Sequence, residues 1–235
     1  MKILGIIPAR GGSKRIPGKN TKLFCGRPLI EYIIESSLHS KFLDRIVINS
    51  DDEKVLNIGS KYPEIIRIKR PDELSGDKAR AIEYVRHTID VLNQGNNEQF
   101  DIVVILQPTS PLTTGEDIDN TIQILINAKS DSAVSVMKLN HAIHPVKMKT
   151  MEKGRLFPFI EEENGRMAED ELPEIYVRNC SVYASTINTI QQNKIIGDDC
   201  RGYLMPSIRS VDINDLLDFE FAEFLMTKQL KQKAV

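Results

Sequence analysis

The chain has 235 residues, 41% hydrophobic and 27% charged, with a net charge of −2 at neutral pH. That is enough for one large α/β domain of ordinary globular composition, and it excludes an overall basic field for nucleic acid. No stretch reaches the roughly 20 apolar residues of a membrane helix, the N-terminus lacks the features of a signal peptide, and Cys25, Cys180 and Cys200 show neither metal nor disulfide spacing, which predicts a cytoplasmic setting.

In chain order, Ile3 to Ile7 reads as a buried strand. Pro28 to His39 carries Leu29, Ile30, Ile33, Ile34 and Leu38 at amphipathic helical spacing. Arg45 to Asn49 is a strand ending in Ser50-Asp51-Asp52, a loop and helix N-cap. A second helix runs to about Lys61, and Ile65 to Ile68 is a third strand. Arg70 to Asp77 is a polar loop. Ile82, Val85, Ile89 and Leu92 mark a helix from Lys78, with Asn93 to Gln99 a polar turn. Asp101 to Leu106 is the most strand-like run, followed by a helix over 116–128 and a strand over 133–136. From Lys138 to Asn179 the alternation breaks into a polar, weakly periodic stretch too long for an ordinary loop. It predicts an insertion that packs on a partner subunit. Strand Ser181 to Ala184, a short helix, a strand near Ile208 to Val211 and a helix from Leu216 to Leu230 complete the chain. This pattern predicts a three-layer α/β fold, with a mostly parallel central sheet and helices on both faces. The whole of 1–235 is then one domain, with 138–179 as the insertion.

Pro8 to Asn20, after the first strand, holds three glycines, two prolines and the cations Arg10, Lys14, Arg15 and Lys19. Glycines let backbone amides approach an anion, and Lys and Arg supply charge and forked donors. At a strand's carboxyl end this reads as a polyphosphate loop or, failing that, a solvated turn. A Walker A loop is excluded: five residues separate Gly12 from Gly18, and Asn20 stands where a hydroxyl should follow Lys19. Gln107-Pro108-Thr109-Ser110-Pro111 follows another strand, so Gln107 either reads a ligand or belongs to a stiffened turn. Asp212, near Asn214 and Asp215, is either a Mg²⁺ ligand or a helix cap. Arg70 and Asp77 could line the same face. His141 and His144 lack a third metal ligand, and Glu161 to Glu163 reads as a solvated surface.

Together these motifs resemble the acylneuraminate cytidylyltransferases, the CMP-sialic acid synthetases, of the bacterial nonulosonic acid type. The resemblance rests on Ile6 to Lys14 with Pro17, Lys19 and Asn20, on Ser50-Asp51-Asp52, Arg70 to Leu74, Leu106 to Leu112, His144 to Lys147 and Val211 to Ile213. It implies a nucleotide-diphospho-sugar-transferase-like fold and a homodimer whose insertion covers the partner's sugar site. The implied reaction joins CTP and a nine-carbon 2-keto sugar acid into CMP-sugar and pyrophosphate, with Mg²⁺ or Mn²⁺. It implies that Ala9, Arg10, Gly11, Ser13, Lys14, Lys19 and Asn20 hold the CTP phosphates, with Arg10, Lys14 and Asp212 catalytic. Arg70 and Asp77 would contact the nucleotide, Gln107, Lys147 and Tyr183 the sugar, and Asp212 with Asn214 the metal. A related family acting on KDO usually has Gly-Lys-Pro at Gly18-Lys19-Asn20. The chain departs from the sialic acid pattern at Asn214, commonly Asp; at Cys180, commonly Gly; and at Ala168 to Glu171, acidic where an Arg is common, with Arg166 the nearest cation. These changes lie on the sugar side and leave legionaminic, pseudaminic and neuraminic acids open, with KDO or another sugar as the alternative substrate. A CTP-binding protein without activity is the alternative from another class.

Overall fold

The structure is a computed structural model that describes residues 1–96, 98–160 and 172–233. Its centre is a seven-stranded sheet. The strands are β1 (Ile3–Pro8), β2 (Arg45–Ser50), β3 (Ile65–Lys69), β4 (Ile102–Leu106), β5 (Ser132–Lys138), β6 (Tyr176–Thr186) and β7 (Cys200–Leu204), in the order β7-β5-β6-β4-β1-β2-β3. All neighbours pair in parallel except β6, which is antiparallel to both β4 and β5. The central strands β1 and β4 are apolar at nearly every position because both their faces are covered.

Alternation along each strand divides the core. Ile3, Ile7, Ile46, Ile48, Ile102 and Val104 face α1 (Leu29–Leu38), α2 (Glu53–Gly59) and α4 (Gly115–Ala128). Leu4, Ile6, Val47, Val103 and Ile105 face α3 (Ala81–Asn96) and α5 (Ile187–Gln191). The result is the three-layer architecture expected, with helices on both sides. A third cluster joins Ile16 of the Gly-rich loop, Phe24 and Leu29 to Ile213, Phe219 and Ala222, so α6 (Leu216–Lys233) packs beside that loop.

Three expectations are corrected. Ile208 to Val211 is not a strand: Ser207–Arg209 is a 3₁₀ turn and Ile208 is exposed. The sheet takes Cys200–Leu204 instead, as an edge strand beside β5. The α3 helix starts at Ala81, not Lys78, and runs on to Asn96 through residues read as a polar turn.

The insertion leaves the sheet at Lys138 and returns at Tyr176, and Leu139 N–H donates to Ile175 O at its base. It holds two 3₁₀ turns, His141–Ile143 and Pro145–Lys147, and a small hairpin pairing Lys149–Glu152 with Arg155–Pro158. Met151, Leu156 and Phe159 are exposed on it. Glu161 to Glu163, Arg166 and Ala168 to Glu171 lie outside the described residues.

Cys180 has φ +58° where the β5–β6 register shifts. That left-handed backbone costs an L-residue roughly 1–2 kcal/mol, which glycine avoids at a smaller entropic cost. Cys180→Gly is therefore expected to raise stability by roughly 0.5–1 kcal/mol, about 1–4 °C in melting temperature. A lower melting temperature would mean that contacts of the thiol outweigh the strain.

Candidate active site

Loops leaving the carboxyl ends of β1, β3 and β4 surround one cavity of about 340 Å³, lined among others by Arg10, Ser13, Lys19, Asn20, Arg70, Asp77 and Gln107. This is where ligands bind in open α/β sheets. A second groove, about 540 Å³, lies at the opposite end of β4 between α3 and α5 and contains none of the candidate residues.

The Gly-rich loop is held from below by β2. Ala9 N–H donates to Asn49 O at 3.1 Å, Ser50 Oγ donates to Ala9 O at 2.5 Å, and Gly11 N–H donates to Asp51 Oδ1 at 2.9 Å. Ser13 N–H turns back to Gly11 O at 2.9 Å. The amides of Ala9, Gly11 and Ser13 are thus bonded within the protein. Asn20, buried, donates its amide to Arg10 O at 3.0 Å and so fixes the backbone of that arginine. Gly18 takes φ +63°, which turns the chain into the Lys19–Thr21 3₁₀ turn. Lys19 then reaches across to the α6 side, donating to Ile213 O at 2.7 Å. Burial pushes the Lys19 pKa down, against the attraction of Asp212.

Arg70 is 4% exposed. Its Nε donates to Asn49 Oδ1 at 2.5 Å and its Nη2 to Asn49 O at 2.7 Å, while the guanidinium lies 4.6 Å from the Tyr84 ring centroid. Burial lowers its pKa, with Tyr84 and the charge of Asp51 acting against that. A buried cation held by neutral acceptors and an aromatic face favours an electron-rich ligand. Asp77 contacts both Arg10 and Lys14, so it is joined to the cations of the Gly-rich loop.

Asp212 lies in a pinned loop, not at a strand end. Ile213 N–H donates to Thr109 O at 2.8 Å, Asn179 Nδ2 to Ser210 Oγ at 2.9 Å, and Arg209 makes a bidentate pair with buried Asp117 at 2.6 and 3.0 Å. The helix-cap role falls elsewhere: Asp218 N–H donates to Asp215 Oδ1 at 3.0 Å and Asp215 N–H to Asp218 Oδ2 at 3.2 Å, a reciprocal box at the start of α6. Asp212 accepts from Asn214 Nδ2 at 3.0 Å, which orients the Asn214 amide. The Asn214 nitrogen is thus the amide atom beside the carboxylate, and Asp212 supplies the hard oxygen donor that suits Mg²⁺, an ion that keeps waters and takes phosphate oxygens. Among the described residues no group of three His, Cys, Asp or Glu forms a metal cluster.

Tyr183 and Lys147, like Lys14, Asp212 and Asn214, are not among the residues that line the cavity. Tyr183 pairs with Ile105 and Val134 within the sheet and packs against the α3-side core. Lys147 sits in the insertion with its Nζ 3.2 and 3.3 Å from the ring nitrogens of His141. Near it, His144 accepts from Val146 N–H at Nδ1, so its other nitrogen carries the proton toward Pro173 O. Asn49 and Tyr84 are site residues that the sequence reading missed. A polar residue closing an apolar strand was the one available signal for Asn49; Tyr84 reads as an ordinary helix core position.

The chain belongs to the cytidylyltransferase family, whose model matches residues 4–186. It is 34% identical over the full length of both chains to a CMP-N,N'-diacetyllegionaminic acid synthase from Legionella pneumophila, and 31% identical, over 96% of each chain, to a pseudaminic acid cytidylyltransferase from Campylobacter jejuni. A solved structure of CMP:2-keto-3-deoxy-manno-octonic acid synthetase complexed with CTP superposes with a TM-score of 0.70 and 17% identity, covering 97% of this chain and all of that one, which shows the shared fold.

Proposed function

We propose that the protein transfers CMP from CTP to the anomeric hydroxyl of a nonulosonic acid, releasing pyrophosphate. The observation that carries this is the convergence of Arg10 and Lys19, Arg70, and Gln107, from three separate segments, on one cavity at the carboxyl ends of the strands. The names of relatives at 31–34% identity support the sugar class.

The hydroxyl attacks the α-phosphorus in line with departing pyrophosphate, so alignment and charge neutralisation dominate. Arg10 and Lys14 hold the pyrophosphate end, with Ser13 beside them. Ala9, Gly11 and Asn20 shape that loop, and Lys19 links it to the segment bearing Asp212. Arg70 over Tyr84 receives the pyrimidine. Gln107 takes the sugar acid, with Tyr183 behind it. Asp212 and the Asn214 amide oxygen would hold Mg²⁺ or Mn²⁺, which when bound supplies positive charge to the phosphate oxygens. The exposed apolar hairpin of the insertion supports a homodimer in which Lys147 serves the partner's sugar site. The enzyme is expected to act in the cytoplasm, where CTP is made available.

Asn20, where the KDO family usually has proline, supports a nine-carbon substrate by resemblance; its amide also anchors Arg10 O. The test is pyrophosphate release with CTP, Mg²⁺ and four acids: N-acetylneuraminic, N,N'-diacetyllegionaminic, pseudaminic and KDO. Turnover on a nine-carbon acid at least about tenfold above KDO is expected, a margin of only ~1.4 kcal/mol. Silence on all four with CTP still bound would overturn the proposal in favour of a binding protein.

A further inference from the structure

Arg10 and Lys14 are bound to an anion of the protein's own. Asp77 Oδ1 accepts from Arg10 Nη1 at 3.2 Å, Asp77 Oδ2 accepts from Lys14 Nζ at 2.5 Å, and Gly76 O accepts from Arg10 Nη1 at 3.4 Å. The bond from the Lys14 ammonium holds the Asp77 carboxyl below the usual carboxylate range, so the pair is charged at neutral pH. Asp77 belongs to the loop between β3 and α3. That loop is folded on itself, with Leu74 N–H to Pro71 O, Ser75 N–H to Asp72 O and Ala79 N–H to Gly76 O. Among the described residues, the hydrogen bonds joining 75–79 to distant segments are those to Arg10 and Lys14.

A carboxylate and a phosphate compete for the same N–H donors. Asp77 therefore cannot add to phosphate binding while it keeps these partners. We propose that Asp77 is a specificity-determining residue that sets how much negative charge a ligand must bring to the Arg10–Lys14 pair. Pyrophosphate, or the β- and γ-phosphates of CTP, carries several charges and displaces the single charge of Asp77. A nucleoside monophosphate does not reach the pair and leaves Asp77 in place. Two unopposed cations would retain pyrophosphate after transfer, and the returning carboxylate speeds its departure. The contest is close because all three side chains are substantially exposed, 43% for Arg10, 79% for Lys14 and 52% for Asp77, and exposed ion pairs are individually weak. This inference rests on the assignment of Arg10 and Lys14 to the pyrophosphate end.

The test is calorimetric titration of Asp77→Asn with pyrophosphate, CTP and CMP at fixed Mg²⁺. Pyrophosphate and CTP are expected to bind about three- to tenfold tighter than to the unaltered protein, the scale of two exposed ion pairs, with CMP changed less than about twofold. The gain should shrink in 1 M salt, where the screening length is about 3 Å. Unchanged or weaker pyrophosphate binding would overturn the proposal, and equal tightening of all three ligands would show a general gate with no selection by charge. Arg10→Ala is titrated in parallel. If it fails to weaken pyrophosphate binding, the phosphate-site assignment falls; if it weakens binding while Asp77→Asn has no effect, only the role of Asp77 falls.

Discussion

Asp212→Ala is expected to lower turnover by about 10²–10³-fold, the scale for removing a group that stabilises transition-state charge, with little change in melting temperature. The two effects separate because Asp212 carries no structural duty at the start of α6. Asp215 and Asp218 cap that helix reciprocally, and Phe219 N–H continues it from Asp215 O. The loop itself is fixed by Lys19, Thr109, Asn179 and Arg209, none of which bonds to the Asp212 carboxylate. Turnover measured across a Mg²⁺ titration should show the midpoint moving to higher concentration in the variant. An unchanged midpoint, or a loss of roughly 1 kcal/mol in stability as for a deleted cap, would remove Asp212 from the metal role. Asn214→Asp offers the converse: a second carboxylate should move the midpoint to lower Mg²⁺.

Arg209→Ala is expected to destabilise the fold by about 3–5 kcal/mol, the cost of stranding a buried charge. For a domain of this size that is roughly 6–20 °C in melting temperature. Asp117 is fully buried and accepts from Arg209 twice, from Thr114 N–H at 3.0 Å, from Thr114 Oγ1 at 2.8 Å and from Tyr203 OH at 3.2 Å. With the guanidinium gone, Thr114 and Tyr203 remain as neutral donors to an uncompensated carboxylate. Asp117→Asn combined with Arg209→Met should recover a large part of the loss, since a neutral amide keeps partners there. Thermal denaturation of both variants decides it: a stable Arg209→Ala, or a double variant no better than the single, would show the pair to be dispensable. Burial pushes the Asp117 pKa up, but the bonds from Arg209 and Thr114 outweigh it and leave the value depressed. A depressed pKa contributes stability that is present above the unfolded value, about 4. It is lost as pH falls through the lower folded value, so the wild-type network should fail only in acid.

The alternation of β1 to β5 with α1 to α4 was readable because strands covered on both faces are apolar runs and the helices over them are amphipathic. Direction was not readable: nothing in Tyr176–Thr186 distinguishes an antiparallel strand from its parallel neighbours. β7 was missed because an edge strand pairs along one side only and Cys-Arg-Gly-Tyr-Leu has no apolar run, whereas Ile208 to Val211 has apolar residues but no partner strand. The cations of the Gly-rich loop were legible from composition, and Arg70, Asp77 and Gln107 from their places after strands. What composition could not give is which side chains meet. Lys19 is tied to Ile213 across 194 positions, and Asp77 to Lys14 across 63. Such contacts are products of the sheet order, and spacing along the chain does not encode them.

The antiparallel course of β6 has a consequence for how the molecule can be rebuilt. Neighbouring antiparallel strands can be joined by a tight turn, whereas parallel ones need a crossover. Lys138 and Tyr176 already face each other in register, so the sheet closes this connection regardless of what it contains. Shortening the excursion between them to a four-residue turn removes about three doublings of loop length, ~2 kcal/mol of closure entropy that folding no longer opposes. The excursion is thus a cartridge in a preformed socket: its length and content are free to vary while the seven strands keep their order.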